Sequence, residues 1–151
     1  MEFVLPIDFK ELLESLNQSG VKYLLVGGYA VGLYGYPRTT EDFDVFVSSD
    51  EENASRLVTA LTNFGFETEN LKKEIFMEKN SLIVIGVEPL AVDILNYLSG
   101  VDFAGAYERR MVVSRHGVEI SLIALEDLVA NKLAVGRHKD LNDVEELRKR
   151  N

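Results

Sequence analysis

Val26 to Val47 reads VGGYAVGLYGYPRTTEDFDVFV, and how this stretch is parsed decides the fold. A glycine pair, Gly27-Gly28, ends one apolar run, and two carboxylates one residue apart, Asp42 and Asp44, interrupt the next. In an extended strand, residues two apart share a face. Asp42 and Asp44 therefore project side by side, with Phe43 and Val45 packed on the other face. Adjacent carboxylates repel unless something positive lies between them. The usual solution is a divalent cation, and the usual substrate of such a site carries phosphates. Solvated acidic turns also contain Asp-x-Asp, but this pair sits in the apolar setting EDFDVFV, where uncompensated charge is costly.

Before the acidic pair, the chain alternates between runs and breaks. Asp8 to Asn17 predicts a helix with Phe9, Leu12, Leu13 and Leu16 on one face, stopped by Gly20. Val21 to Val26 predicts a short buried strand. Gly27 and Gly28 break it, and a short helix over Tyr29 to Tyr34 ends at Tyr36-Pro37. Glycines between a strand and a helix allow close backbone approach to a ligand, and the helix start offers free N–H groups to a phosphate. A tight turn needing positive φ is the other reading of the pair. No Gly-Lys-Ser/Thr follows, so this is not a Walker loop, nor is it the dinucleotide fingerprint. Arg38, four residues before Asp42, suits a phosphate contact or a salt bridge.

After the pair, Phe43 to Val47 predicts the second strand. Ser49 or Asp50 caps a helix that runs to Phe64 and closes at Gly65. Residues 66–95 read as strand-rich, including Leu82 to Val87 and Leu90 to Leu95. A short helix is predicted over Asp102 to Arg109, and short strands over Met111 to Val113 and Val118 to Ile120 around a turn at His116-Gly117. Helices over Leu125 to Val135 and Lys139 to Arg150, broken at Gly136, finish the chain. The whole reads as one domain over residues 1–151, a mixed sheet with helices, α+β or α/β.

Two further residues stand out against their surroundings. Asp93, in PLAVDIL, interrupts a run otherwise fit for burial. It is a third carboxylate for a metal site, or a strand-end Asp bonded to backbone N–H groups. Lys132, in LEDLVANKLAV, lies on the stripe of Leu125, Leu128, Val129 and Leu133 rather than opposite it. It either snorkels to solvent or points into a cleft toward a triphosphate or the carboxylates. Asp140 and Asp143 share a face of the last helix, where Asp140 caps the helix start or serves the site. His116 reads as a turn residue and His138 as an exposed one.

Bulk composition narrows the classes. The 151 residues are 46% hydrophobic and 27% charged, enough for a core, with no run near the ~20 apolar residues of a bilayer span. MEFVLPIDFKELL does not read as a signal peptide, and the chain has no cysteine, which excludes disulfides and thiolate zinc sites and suits the cytoplasm. The net charge of −9 opposes broad, sequence-blind nucleic-acid binding. The balance is uneven: residues 132–151 carry six Lys and Arg against four Asp and Glu, which leaves ten against 21 in residues 1–131. That basic end is a solvated helix end or a phosphate-facing element.

Gly27-Gly28, then Asp42-x-Asp44, then a lone strand Asp93, resembles the nucleotidyltransferase superfamily of the DNA polymerase β type. PRTTEDFDVFV and NKLAVGRHKDLNDVEEL make the sequence look most like the AbiEii-type bacterial toxins and related nucleotidyltransferases. The likeness covers roughly residues 20–50, 90–95 and 123–148. It implies a strongly twisted mixed sheet flanked by helices. It implies that the Gly27-Gly28 turn holds nucleotide phosphates, and that Asp42 and Asp44 bind two Mg²⁺ (or Mn²⁺) ions. Asp93 would complete the site as the base, and Lys132 and Asp140 would contribute as in the toxin-like subgroup. The superfamily's usual Gly-Ser is Gly-Gly here, and the larger toxins carry a further C-terminal domain. The implied substrate is a nucleoside triphosphate such as ATP. The acceptor would be an RNA 3′ end, a protein hydroxyl or a small molecule such as an antibiotic. The implied partner is a cognate antitoxin or another chain, and a degenerate nucleotide- or partner-binding domain is the non-enzymatic alternative.

Overall fold

The computed structural model describes residues 5–38, 40, 42–66, 69–86 and 91–151. Thirteen elements follow in chain order: α1 (Ile7–Gln18), β1 (Tyr23–Val26), α2 (Gly27–Leu33), β2 (Phe43–Val47), α3 (Glu51–Phe64), α4 (Lys73–Met77), β3 (Leu82–Ile85), β4 (Val92–Leu95), α5 (Phe103–Glu108), β5 (Met111–Arg115), β6 (Val118–Leu122), α6 (Leu125–Val135) and α7 (His138–Arg150). The described strands form one six-stranded sheet in the order β3-β4-β2-β1-β6-β5. β2 runs parallel to β4 and β1 parallel to β6, while the other three neighbouring pairs are antiparallel. This is the expected α+β architecture, a mixed sheet flanked by helices.

The central strands are short and apolar because helices cover them on both faces. On one face Phe9 of α1 stacks on Phe43 of β2 with ring centroids 4.4 Å apart, and Tyr29 of α2 meets Phe43 edge-on at 5.3 Å. On the other face Phe46 meets Phe103 of α5 at 5.0 Å. Asn53, buried in α3, ties off the far end of β1 and β2. It accepts from the Lys22 N–H and donates to the Lys22 and Ser48 carbonyls. Asp50 caps α3 by accepting from the Asn53 N–H, and Gly65 closes that helix at φ +119°, as the sequence predicts.

Two expectations shift. The helix after β1 begins at Gly27, so the glycine pair opens α2 instead of preceding it. Residues 66–95 hold the helix α4 as well as strands, a single turn pinned by the buried Phe76 and too short for helical periodicity to show. Val87 and Leu90, where the two strands of that stretch were expected to end and begin, lie outside the described residues. The turn at His116-Gly117 is as expected, with both residues at positive φ. Among the described residues no helix is long and apolar enough to cross a membrane.

Candidate active site

The sheet register brings the strand carboxylates together. Phe43 and Val45 of β2 and Val92 and Ile94 of β4 are buried, which turns Asp44 and Asp93 to the opposite face. Asp44 pairs with Asp93 across parallel strands and with Val26 across the antiparallel pair. One row thus runs Val26, Asp44, Asp93, Val84 across four strands. Asp93 lies on the same face as Asp44, as a shared metal site requires.

Among the described residues no lysine or arginine forms an ion pair with Asp44 or Asp93. Burial, then the neighbouring charges of Asp93 and Asp42, then a hydrogen bond with Asp93, raise the Asp44 carboxyl from 3.8 to about 7, against the opposing pull of Lys132. Asp42 sits just before β2 and is exposed, so the burial cost expected for both members of Asp-x-Asp falls on Asp44. Among the described residues no three His, Cys, Asp or Glu side chains are gathered as a metal-binding group. Asp44 and Asp93 pair closely, and Asp42 acts on Asp44 from the rim.

Gly27 has a steric reason for its identity. Its φ is +69°, and a Cβ there would lie 2.2 Å from Asp44 Oδ2. The absent side chain lets the carboxylate lie against the backbone at the start of α2. Gly28 serves the loop instead, because a Cβ there would lie 2.5 Å from Thr40 Oγ1. Gly28 does not line the cleft beside Asp44.

That cleft holds about 250 Å³ and is lined by Gly27, Asp44, Tyr97, Asn131, Lys132, Arg137 and Asp140, among others. Its floor is a charged chain. The Lys132 ammonium is buried, 3.4 Å from Asp140 Oδ1 and 3.1 Å from Asp143 Oδ2. Arg38 donates through Nε and Nη2 to both Asp143 oxygens at 2.9 and 2.8 Å. Arg137 donates through Nε to Asp140 Oδ2 at 2.7 Å and through Nη2 to Oδ1 at 3.3 Å. Asp140 also accepts from the Arg137 backbone N–H, so it caps α7 and lines the cleft at once. Burial pushes the Asp140 carboxyl up, but Arg137 and Lys132 together hold it below its usual value.

Of the residues expected to act, Gly27, Asp44, Lys132 and Asp140 share the cleft lining. Asp93 adjoins it through Asp44. Arg38 takes the salt-bridge alternative, with its fork on Asp143. The buried face of α6 is Asp127, Leu128, Asn131 and Lys132, while Leu133 is 47% exposed, so Lys132 stands in a polar seam and not on an apolar stripe. Asn131 fixes that seam by donating to the Ser99 carbonyl at 3.0 Å. Sequence reasoning missed Arg137 and Asn131. The Arg137-x-x-Asp140 spacing at a helix start was the available signal.

The family described as "Nucleotidyltransferase of unknown function (DUF6036)" matches residues 6–149. No curated protein matches the chain. Several solved structures resemble it. One is the Thermotoga maritima protein TM1012, provisionally named a nucleotidyltransferase (TM-score 0.61, 19% identity, 93% of this chain and 88% of that one). Another is an antigenic nucleotidyltransferase-like protein from Paracoccidioides brasiliensis (0.55, 20%, 91% and 72%). A third is the antibiotic-resistance factor ANT(2″)-Ia (0.59, 10%, 95% and 82%). These likenesses show the fold. The family match spans nearly the whole chain, and the chain belongs to that family of nucleotidyltransferases.

Proposed function

We propose that this member of the family is a Mg²⁺- or Mn²⁺-dependent nucleotidyltransferase. It would move a nucleoside monophosphate from an NTP to a hydroxyl acceptor and release pyrophosphate. The observation that carries this reading is the uncompensated Asp44–Asp93 pair, set in register on adjacent strands beside a cleft floored by Lys132.

The residues fit the ion. Mg²⁺ keeps several waters and is typically held by one or two carboxylates plus substrate phosphates. Asp44 and Asp93 supply the two carboxylates, and the exposed Asp42 would join from the solvent side. Bound there, the ion would neutralise phosphate charge and lower the pKa of the acceptor hydroxyl.

The chain's own groups do the rest. Asp93 takes the proton of the acceptor hydroxyl, whose oxygen bonds to the α-phosphorus. The bond from that phosphorus to the β-phosphate oxygen breaks, and its electron pair leaves with pyrophosphate. Gly27 holds Asp44 in place by giving it room, and Lys132 sets a positive potential in the cleft. Positioning and electrostatics would supply most of the acceleration.

The net charge of −9 weighs against a long nucleic-acid acceptor and favours a small molecule or a protein hydroxyl. Likeness of fold to an antibiotic-resistance factor agrees with the small-molecule reading. A toxin role beside a cognate antitoxin is supported by the motif NKLAVGRHKDLNDVEEL. The non-enzymatic alternative is a domain that binds nucleotide without turnover. Incubation with Mg²⁺, each α-labelled NTP and separate pools of RNA, protein and small-molecule acceptors separates these readings. Label transfer abolished by Asp44→Ala is expected. Calorimetric Mg-NTP binding without transfer supports the binding-only reading. Neither transfer nor binding with any nucleotide refutes both.

A further inference from the structure

We infer that Arg137 is the cation that grips the phosphate tail of the nucleotide, with Asp140 as the residue that positions it. The inference rests on the nucleotidyltransferase reading and assigns the tail to a residue other than Lys132 or Arg38.

Among the described residues two cations line the cleft, Lys132 and Arg137, and a third, Arg38, lies behind them on Asp143; Arg38 and Lys132 are already engaged. Arg38 spends both arms of its fork on Asp143, and its side chain is only 17% exposed. Lys132 is flanked by two carboxylates, Asp140 and Asp143, each with 1% of its side chain exposed. The third ammonium N–H of Lys132 has little access to the cleft, because only 7% of the side chain is exposed, and a phosphate that replaced either carboxylate would leave a buried charge uncompensated. Lys132 therefore acts on the cleft by its field and not by a contact.

Arg137 differs on each count. Its side chain is 66% exposed, and it lines the same cleft as Gly27 and Asp44. Asp140 occupies the Nε–H and one Nη2–H. A guanidinium carries five N–H donors, so three stay available, including both on Nη1. The two aspartates balance two of the three cations, so the floor has one surplus positive charge, and it resides on its most exposed member. A planar guanidinium held along one edge presents its other edge as a fork that suits two phosphate oxygens. The cleft then has a carboxylate end at Asp44 for the reacting phosphate and a cationic end at Arg137 for the leaving pyrophosphate.

The test is calorimetric titration of the full chain, in Mg²⁺, with inorganic tripolyphosphate and with AMP. Arg137→Ala should weaken tripolyphosphate binding by about 10- to 100-fold and leave AMP binding within about twofold. Arg137→Lys, which keeps the charge and loses the fork, should fall between. In turnover, the KM for NTP should rise more than kcat falls. A cooperative thermal melt well above the assay temperature verifies that the variants are folded. Tripolyphosphate binding by folded Arg137→Ala within twofold of the parent overturns the inference and leaves the proposed activity standing. A parent protein that binds neither tripolyphosphate nor any Mg-NTP overturns the activity and the inference together.

Discussion

Asp44→Asn should make the metal-free protein more stable at pH 8 while abolishing nucleotide transfer. The Asp44 carboxyl is raised from 3.8 to about 7 by burial, the charges of Asp93 and Asp42, and its hydrogen bond with Asp93. Between about pH 4 and 7 the folded protein keeps this proton and the unfolded chain has lost it. Stability therefore falls as pH rises through that window, by up to ~1.4 kcal/mol per unit, and is flat above it. The full shift corresponds to about 4 kcal/mol. Partial solvent access to Asp44 and sharing of charge with Asp93 reduce the expectation to roughly 2–3 kcal/mol. Asparagine keeps the shape and removes the charge. For a chain of this size that gain raises Tm by roughly 5–10 °C at pH 8 and by almost nothing at pH 4.5. Thermal melts in a chelator across pH 4.5 to 8.5 measure it. Adding Mg²⁺ should stabilise the parent and leave the variant unmoved. A variant no more stable than the parent at pH 8, or one whose advantage is equal at both pH values, would refute the electrostatic account of the Asp44–Asp93 pair.

The other predictions concern the site's supports. Gly27→Ala places a Cβ against Asp44 Oδ2 at a φ of +69°, so it should cost about 1–3 kcal/mol in urea unfolding and reduce transfer at least tenfold by displacing the carboxylate. Asp143→Ala leaves Lys132 and Arg38 facing each other without their shared anion. It should cost about 3–5 kcal/mol, and Asp143→Asn less, because the amide oxygen still accepts one of the lost hydrogen bonds.

The sequence is most informative where chemistry conflicts with burial. Asp44 and Asp93 stand out because each breaks a run that must pack, and the register then puts them side by side. Gly27 is visible for the same reason, since only glycine meets both a positive φ and the close carboxylate. The α6 stripe misleads because periodicity assumes an apolar partner. Asp127 is turned inward by Arg109, which bonds both its oxygens at 3.0 and 2.9 Å, and Asn131 by the Ser99 carbonyl. That turns Leu133 and Val135 outward. Arg137 is hidden in a basic end that reads as solvated, and it becomes distinct only when the partners of its neighbours are counted.

The charges of the site divide by how they are held. Lys132, Asp140, Asp143 and Arg38 satisfy one another below the cleft, so each buried charge there has a partner. Among the described residues Asp44 and Asp93 have no such partner, and Asp44 lines the cleft itself. A site built only for stability would pair them too, since a lysine facing Asp44 would remove most of the raised pKa. Lys132 is near enough to lower the Asp44 carboxyl but is anchored to Asp140 and Asp143 instead. Releasing it should show the trade directly. In an Asp140→Asn/Asp143→Asn variant, Lys132 is freed to approach Asp44. Metal-free stability should then lose its dependence on pH between about 4 and 7, and Mg²⁺ should bind more weakly because an internal cation competes for its ligands. A double variant whose pH dependence and Mg²⁺ affinity match the parent would show that the anchoring of Lys132 does not keep the acidic pair open.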